Sequence, residues 1–297
     1  MGSGPFGDAP LQRVPTGTTE IAVRRLGAGP PLLLLHGYPQ THMLWHRIAP
    51  ALAERFTLVC ADLRGYGDSG KPPADATHWA YSKRAMAQDM VEVMAALGYD
   101  RFMVAGHDRG GRVTHRMCLD HPARVQRAAV LDIVPTRTVF AATNQALATG
   151  YYHWFLLSQP EPLPERMIGA EPIFYLQQKL ARWSKTQDTS WVAPAALAEY
   201  ARCFADPATI HATCEDYRAA ATIDLEHDAA DAGLRIACPL LVLWGEHGLM
   251  HRQFDVLATW RAKAAGEVTG RALPCGHFLP EEAPAPTAAA LLRFFAA

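Results

Sequence analysis

The chain has 297 residues, 49% of them hydrophobic and 19% charged, with a formal net charge of -1 at pH 7. That balance gives no electrostatic reason to expect nucleic acid or an anionic membrane as partner, and no run reaches the roughly 18 apolar residues that span a bilayer. The length suits one large domain, or one domain with an insertion, with a sizeable core.

The start, MGSGPFGDAPLQRVPTG, has neither a basic opening nor an apolar run, so it reads as a flexible lead-in rather than a signal peptide. PLLLLHG, TLVCAD, RFMVAGHD, RAAVLDIVP and CPLLVLWG are the clearest strands. Their near-continuous apolar character fits strands covered on both faces. Residues 83–97 and 109–121 have helical period between them. From about Pro135 to His227 the chain turns rich in aromatic residues, Pro and Gln and loses the strand pattern, so it reads as a mostly helical insertion. The strand rhythm returns at CPLLVLWG and ends in a helix, APTAAALLRFFAA. The expected architecture is α/β: a mostly parallel sheet flanked by helices. Its core segments are 1–135 and 228–297, and a helical cap, 136–227, is inserted after the sixth strand. The six cysteines, Cys60, Cys118, Cys203, Cys214, Cys238 and Cys275, are scattered without a CxxC pair. Buried free thiols, and cytoplasmic residence by default, are the expectation.

The chemistry centres on VAGHDRGGR, Val104 to Arg112. GHDRG satisfies the pattern Gly-x-nucleophile-x-Gly, which exposes its middle residue on a tight strand-to-helix turn. That residue is Asp108. HGYP, His36 to Pro39, follows the second strand and offers the Tyr38 backbone amide to an oxyanion hole, with the Arg109 amide as its second donor. His277, in CGHFLPEE near the end, stands where a general base is expected. After LLVLWG the chain reads Glu246, His247, Gly248, Leu249, with glycine near the place where many such folds carry the orienting acid. Asp132, at the end of the strand before the insertion, faces the same crevice and is the expected acid, with Glu246 in reserve.

An aspartate at this turn changes the reaction class. Attack on a saturated carbon leaves a serine as a dead-end ether, whereas a carboxylate forms an ester that water can cleave. Arg109 and Arg112, three residues apart on one helix face, suit bidentate capture of a carboxylate beside the reacting carbon; the alternative is that they form surface ion pairs. Taken alone, YYHWF is an aromatic core cluster and His107 a packing and turn residue. His42 with His46, and His247 with His251, have i, i+4 spacing but no third ligand, so no metal is expected.

HGYPQTHMLWHRIAP, ADLRGYGDSGKP, GHDRGGR, LDIVPT, YYHWF, EDYRAAATIDLEHD and CGHFLPEE together resemble the haloacetate (fluoroacetate) dehalogenases of the α/β-hydrolase superfamily, from about Gly29 to the end. The resemblance implies that Asp108 displaces halide from a haloacetate, that Arg109 and Arg112 hold its carboxylate, and that His277 and Asp132 complete hydrolysis to glycolate. It implies halide donors at His153, Trp154 and Tyr217, a pocket-lining Trp183, no cofactor, and a homodimer. Tyr38 stands where several members have Phe, but the contact needed there is a backbone amide. Two rivals share the fold: an epoxide hydrolase, with Tyr217 and more weakly Tyr152 as proton donors, and a non-catalytic ligand receptor.

Overall fold

The computed structural model describes Phe6 and residues 9–297; the rest of the expected lead-in, residues 1–5, 7 and 8, lies outside them. Eight strands among the described residues form one sheet: β1 (Leu11–Pro15), β2 (Glu20–Leu26), β3 (Pro31–Leu35), β4 (Thr57–Ala61), β5 (Phe102–His107), β6 (Val125–Leu131), β7 (Leu240–Gly245) and β8 (Val268–Leu273). Their order is β1-β2-β4-β3-β5-β6-β7-β8. β2 is antiparallel to both β1 and β4, and the pairs from β4 through β8 are parallel.

The five strands expected from apolar runs are β3 to β7. β4 and β5 are buried at every position, as strands sandwiched between helices must be. β1, β2 and β8 escape a search for such runs. β1 and β8 are edge strands with alternating exposure, and β2 carries the polar tail Arg24, Arg25 beside its buried Ile21 to Val23. Two expectations are thereby corrected. Residues 11–15 are strand rather than flexible lead-in, and HGYP follows the third strand, not the second.

Helix α1 (Lys83–Ala96) begins where the Ser82 hydroxyl accepts the Ala85 amide. Helix α2 (Arg109–Asp120) follows β5 directly and is buried from Arg109 through Cys118. Between β6 and β7 the elements are all helical, among them α3 (Tyr152–Leu157), α4 (Pro172–Trp183) and α5 (Pro207–Ala221). The chain closes with α6 (Pro284–Phe295). Among the described residues no helix is long and apolar enough to cross a membrane.

The parallel register sets the site. Leu35 pairs with Gly106, and His107 with Leu131. The residues just past these ends, HGYP, Asp108 and Asp132, therefore emerge side by side at the carboxyl edge of the sheet, where open α/β sheets bind ligands.

Candidate active site

Asp108 adopts φ 44° and ψ -112° between β5 and α2. Such a backbone costs a non-glycine residue about 1–3 kcal/mol, so its surroundings must over-determine it. They do. The Asp108 amide donates to Leu131 O (3.2 Å), the Arg112 amide donates to Asp108 O (3.1 Å), and the Gly110 amide donates to His36 O (2.9 Å). Glycine is required for the close approach: a Cβ at Gly110 would meet the His36 carbonyl, and one at Gly37 the Asp108 side chain. The Tyr38 amide donates to Asp108 Oδ2 at 3.0 Å, the contact expected of an oxyanion donor. The Arg109 amide opens α2, where a helix has no acceptor of its own to offer. Burial acts to raise the Asp108 pKa, but His277, Arg112, His107 and Arg109 outweigh it and hold the carboxyl below its ordinary value.

His277 and Asp132 meet. His277 Nδ1 lies 2.6 Å from Asp132 Oδ2, while Asp132 Oδ1 accepts the Gly245 amide at 2.9 Å. Asp132 is itself in the left-handed region, φ 52°, and its amide donates to Leu243 O at 2.8 Å. Gly248 packs against this carboxylate, so a side chain at that position would crowd it. Glu246 instead pairs with His247 at 3.2 Å on the surface. Burial acts to lower the His277 pKa, but the hydrogen bond and charge of Asp132, aided by Asp108, raise it overall. His107 holds His277 from behind: its Nε2 is 2.8 Å from His277 O, and burial pushes its pKa down to about 3. That agrees with its reading as a packing residue. His42 is also structural, with Nδ1 2.9 Å from Asp62 and Nε2 accepting from Arg24.

The two arginines are buried rather than on the surface, and each is only partly engaged. Arg109 Nε donates to Asp216 Oδ2 at 2.8 Å and its Nη2 to Asp216 O at 2.9 Å and Oδ1 at 2.5 Å, leaving Nη1 buried without a partner. Arg112 Nη1 donates to Val134 O (2.9 Å) and Thr136 Oγ1 (3.0 Å), leaving Nε buried without a partner. The Arg109 guanidinium lies 4.2 Å from the Tyr217 ring centre and that of Arg112 4.6 Å from the Trp154 ring. Protein atoms thus fix both guanidiniums while donors remain for a ligand.

The aromatic residues of α3 and α5 close over them. His153 stacks on Tyr38 (centroids 5.9 Å) and packs against Trp183 (4.5 Å) and Tyr217 (5.4 Å), and Trp183 reaches His277 at 5.6 Å. The Nδ1 of His153 and the hydroxyls of Tyr217 and Tyr38 are buried without partners. Burial, then Lys179 and Arg109, hold His153 well below its ordinary pKa and therefore neutral. Tyr152, by contrast, is 36% exposed.

Three supports were not expected from the sequence. Asp216 anchors Arg109 and is shared by Lys83 Nζ and by the Tyr66 hydroxyl at 2.7 Å. Glu282 accepts the amides of Gly276 (3.0 Å), Phe278 (2.9 Å) and Lys185 (2.7 Å), shaping the His277 loop. The Trp183 carbonyl accepts the His277 amide at 2.8 Å, tying α4 to the His277 loop. Asp216 and Glu282 sit inside EDYRAAATIDLEHD and CGHFLPEE, but no spacing rule marks a carboxylate as a support rather than a surface charge. A cavity of about 760 Å³ beside Arg64, Trp79 and Glu92 shares no residue with this site.

An aspartate on a strained strand-to-helix turn, a backbone donor on its carboxylate and a His–Asp pair beside it define a hydrolase of the α/β-hydrolase class. A family model for the alpha/beta hydrolase fold matches residues 30–284. The chain is 47% identical over 268 residues to the fluoroacetate dehalogenase of Burkholderia sp, covering 90% of this chain and 88% of that protein. It is 33% identical over 272 residues to the soluble epoxide hydrolase of Corynebacterium sp. (strain C12), covering 91% of each. The crystal structure of a provisionally assigned α/β hydrolase from Nostoc sp PCC 7120 superposes with a TM-score of 0.95 at 58% identity, covering 97% of this chain and 98% of that one. The chain belongs to the haloacetate dehalogenase family of the α/β-hydrolase superfamily.

Proposed function

We propose that the protein hydrolyses the carbon–halogen bond of haloacetates, fluoroacetate, chloroacetate and bromoacetate, to glycolate and halide without a cofactor. One juxtaposition carries the reading: a carboxylate nucleophile position beside two buried guanidiniums that each keep an unpartnered donor. A neutral substrate has no use for two such cations.

In the first step one oxygen of Asp108 attacks the carbon bearing the halogen. The carbon–halogen bond breaks with its electron pair on the halide, which takes hydrogen bonds from His153, Trp154 and Tyr217. Arg109 and Arg112 hold the substrate carboxylate, converting an encounter into an aligned displacement. In the second step His277, oriented by Asp132, takes a proton from water, whose oxygen attacks the Asp108 carboxyl carbon. The oxyanion forms at the oxygen facing the Tyr38 and Arg109 amides, each worth about 3 kcal/mol. Collapse releases glycolate, whose oxygen takes the proton back from His277, and the regenerated Asp108 carboxyl gives one proton to solvent. Trp183 lines the pocket, and segment 136–227 acts as the cap over it. The epoxide hydrolase reading keeps Tyr217 as a proton donor, but exposed Tyr152 is poorly placed as a second. Cytoplasmic residence, the default for such a composition, and a homodimeric state, implied by the resemblance, go with this reading. Halide release from the three haloacetates, set against diol formation from an epoxide panel, tests the function. Halide and glycolate in equal amounts is the expected result; diol without halide would overturn it.

A further inference from the structure

Lys179, on α4, is 1% exposed. Its Nζ lies 3.5 Å from the ring centre of Tyr152, 4.9 Å from that of Tyr175 and 5.3 Å from that of Trp183. Among the described residues no carboxylate lies within 4.0 Å of it. An ammonium this buried is normally paired, because aromatic faces compensate only part of its lost hydration and satisfy none of its three donors along their axes. Burial, and then the neighbouring Arg182, lower its pKa to about 7, the mark of a cation short of counter-charge.

The same lysine lines a cavity of about 300 Å³ that reaches Asp132, Trp183 and His277. Arg182 and Arg252 also line it, and both are exposed on the surface. Asp132 is the one carboxylate on its wall, and both of its oxygens are already engaged, by His277 and by Gly245. The charged groups on its wall are thus mostly basic, and the Lys179 ammonium among them has no salt-bridge partner. Trp183 also lines it and packs on His153 at 4.5 Å and on His277 at 5.6 Å.

We propose that Lys179 in its aromatic cage is a second, weak site for a small monovalent anion, placed on the route between solvent and the nucleophile. Its role as a way-station for an incoming haloacetate or an outgoing halide rests on the dehalogenase reading; its capacity to hold an anion does not. Low-dielectric walls carrying one sign of charge concentrate counter-ions, and a single buried ammonium without a fixed partner can pass an anion on rather than trap it.

Bromide soaked into crystals of the full-length protein, located by anomalous scattering, tests the site directly. A peak in contact with Lys179 Nζ is expected, retained in Lys179→Arg and lost in Lys179→Met. Absence of a peak in the wild type overturns the proposal, even if the protein dehalogenates normally. Kinetics with fluoroacetate and bromoacetate then identify the traffic. If the anion is the substrate, Lys179→Met lowers kcat/KM about tenfold with kcat kept, and removes most of its dependence on salt. If it is the departing halide, kcat falls and inhibition by added bromide weakens instead. Unchanged kinetics in a folded Lys179→Met protein would mean binding at crystal concentration only, and would also overturn the route. If no haloacetate is turned over, the dehalogenase reading fails while the bromide peak still decides the anion site.

Discussion

The carboxyl edge of the sheet and the helical layer above it contribute different kinds of group. At the sheet edge the key atoms are already engaged: Asp108 by Tyr38, Asp132 by Gly245 and His277, and His277 by Asp132 and Trp183. In the helical layer His153 Nδ1 and Tyr217 Oη are buried with nothing to bond, although such atoms normally find partners. Engaged groups hold a reaction geometry, whereas orphaned donors await a ligand. The sheet edge should therefore determine whether chemistry occurs, and the helical layer which leaving group is tolerated.

The largest blow to the sheet side should come from His277→Gln. Ester formation continues while its hydrolysis slows by about 10⁴-fold, so intact-protein mass spectrometry after haloacetate treatment should show a persistent adduct on the Asp108 peptide. An unmodified protein with the same loss of turnover would break the assignment of separate steps. Asp216→Ala strips the partner from a fully buried Arg109 and should cost about 3–5 kcal/mol of stability, read by urea unfolding. Here both regions are hit at once, because α5 holds an arginine of α2.

Tyr217→Phe should touch only the leaving group. Loss of one aligned donor costs about 10²-fold on fluoroacetate, where charge developing on fluoride is hardest to stabilise, and much less on bromoacetate. Equal losses on both substrates would erase the distinction between the two regions. The smallest effect is in the pH profile. Imidazolium accumulates as pH falls through the raised His277 pKa, and only ester hydrolysis needs the neutral ring. An acid limb should therefore appear in kcat but not in kcat/KM, since the Asp108 carboxyl is held below its ordinary value and stays ionised for the attack. Esterification removes the Asp108 charge, one of the charges that raise the His277 pKa, which eases its deprotonation for the second step. Matching limbs in both parameters would contradict this order of events.

How much of this could be read from sequence follows the same divide. Central strands announce themselves by continuous apolar runs, and GHDRG by its glycines, since both are local demands of the backbone. Asp132 is reachable because glycine occupies the more usual acid position and the strand before the insertion ends in a carboxylate. β1, β2 and β8 were hidden because edge and antiparallel strands need only half a pattern. Asp216 and Glu282 were hidden for a different reason: a carboxylate becomes a support only through partners far along the chain, 107 residues away for Arg109 and 97 for Lys185. The cage around Lys179 is likewise invisible in KLARWSK, where lysine reads as a surface residue.

The covalent role of Asp108 is the central claim, and a single turnover in heavy-oxygen water tests it most directly. Water attacking the ester at the Asp108 carboxyl carbon predicts label in the Asp108 peptide and unlabelled glycolate. Labelled glycolate with an unlabelled Asp108 peptide would mean that water displaces the halide directly, and would contradict the account.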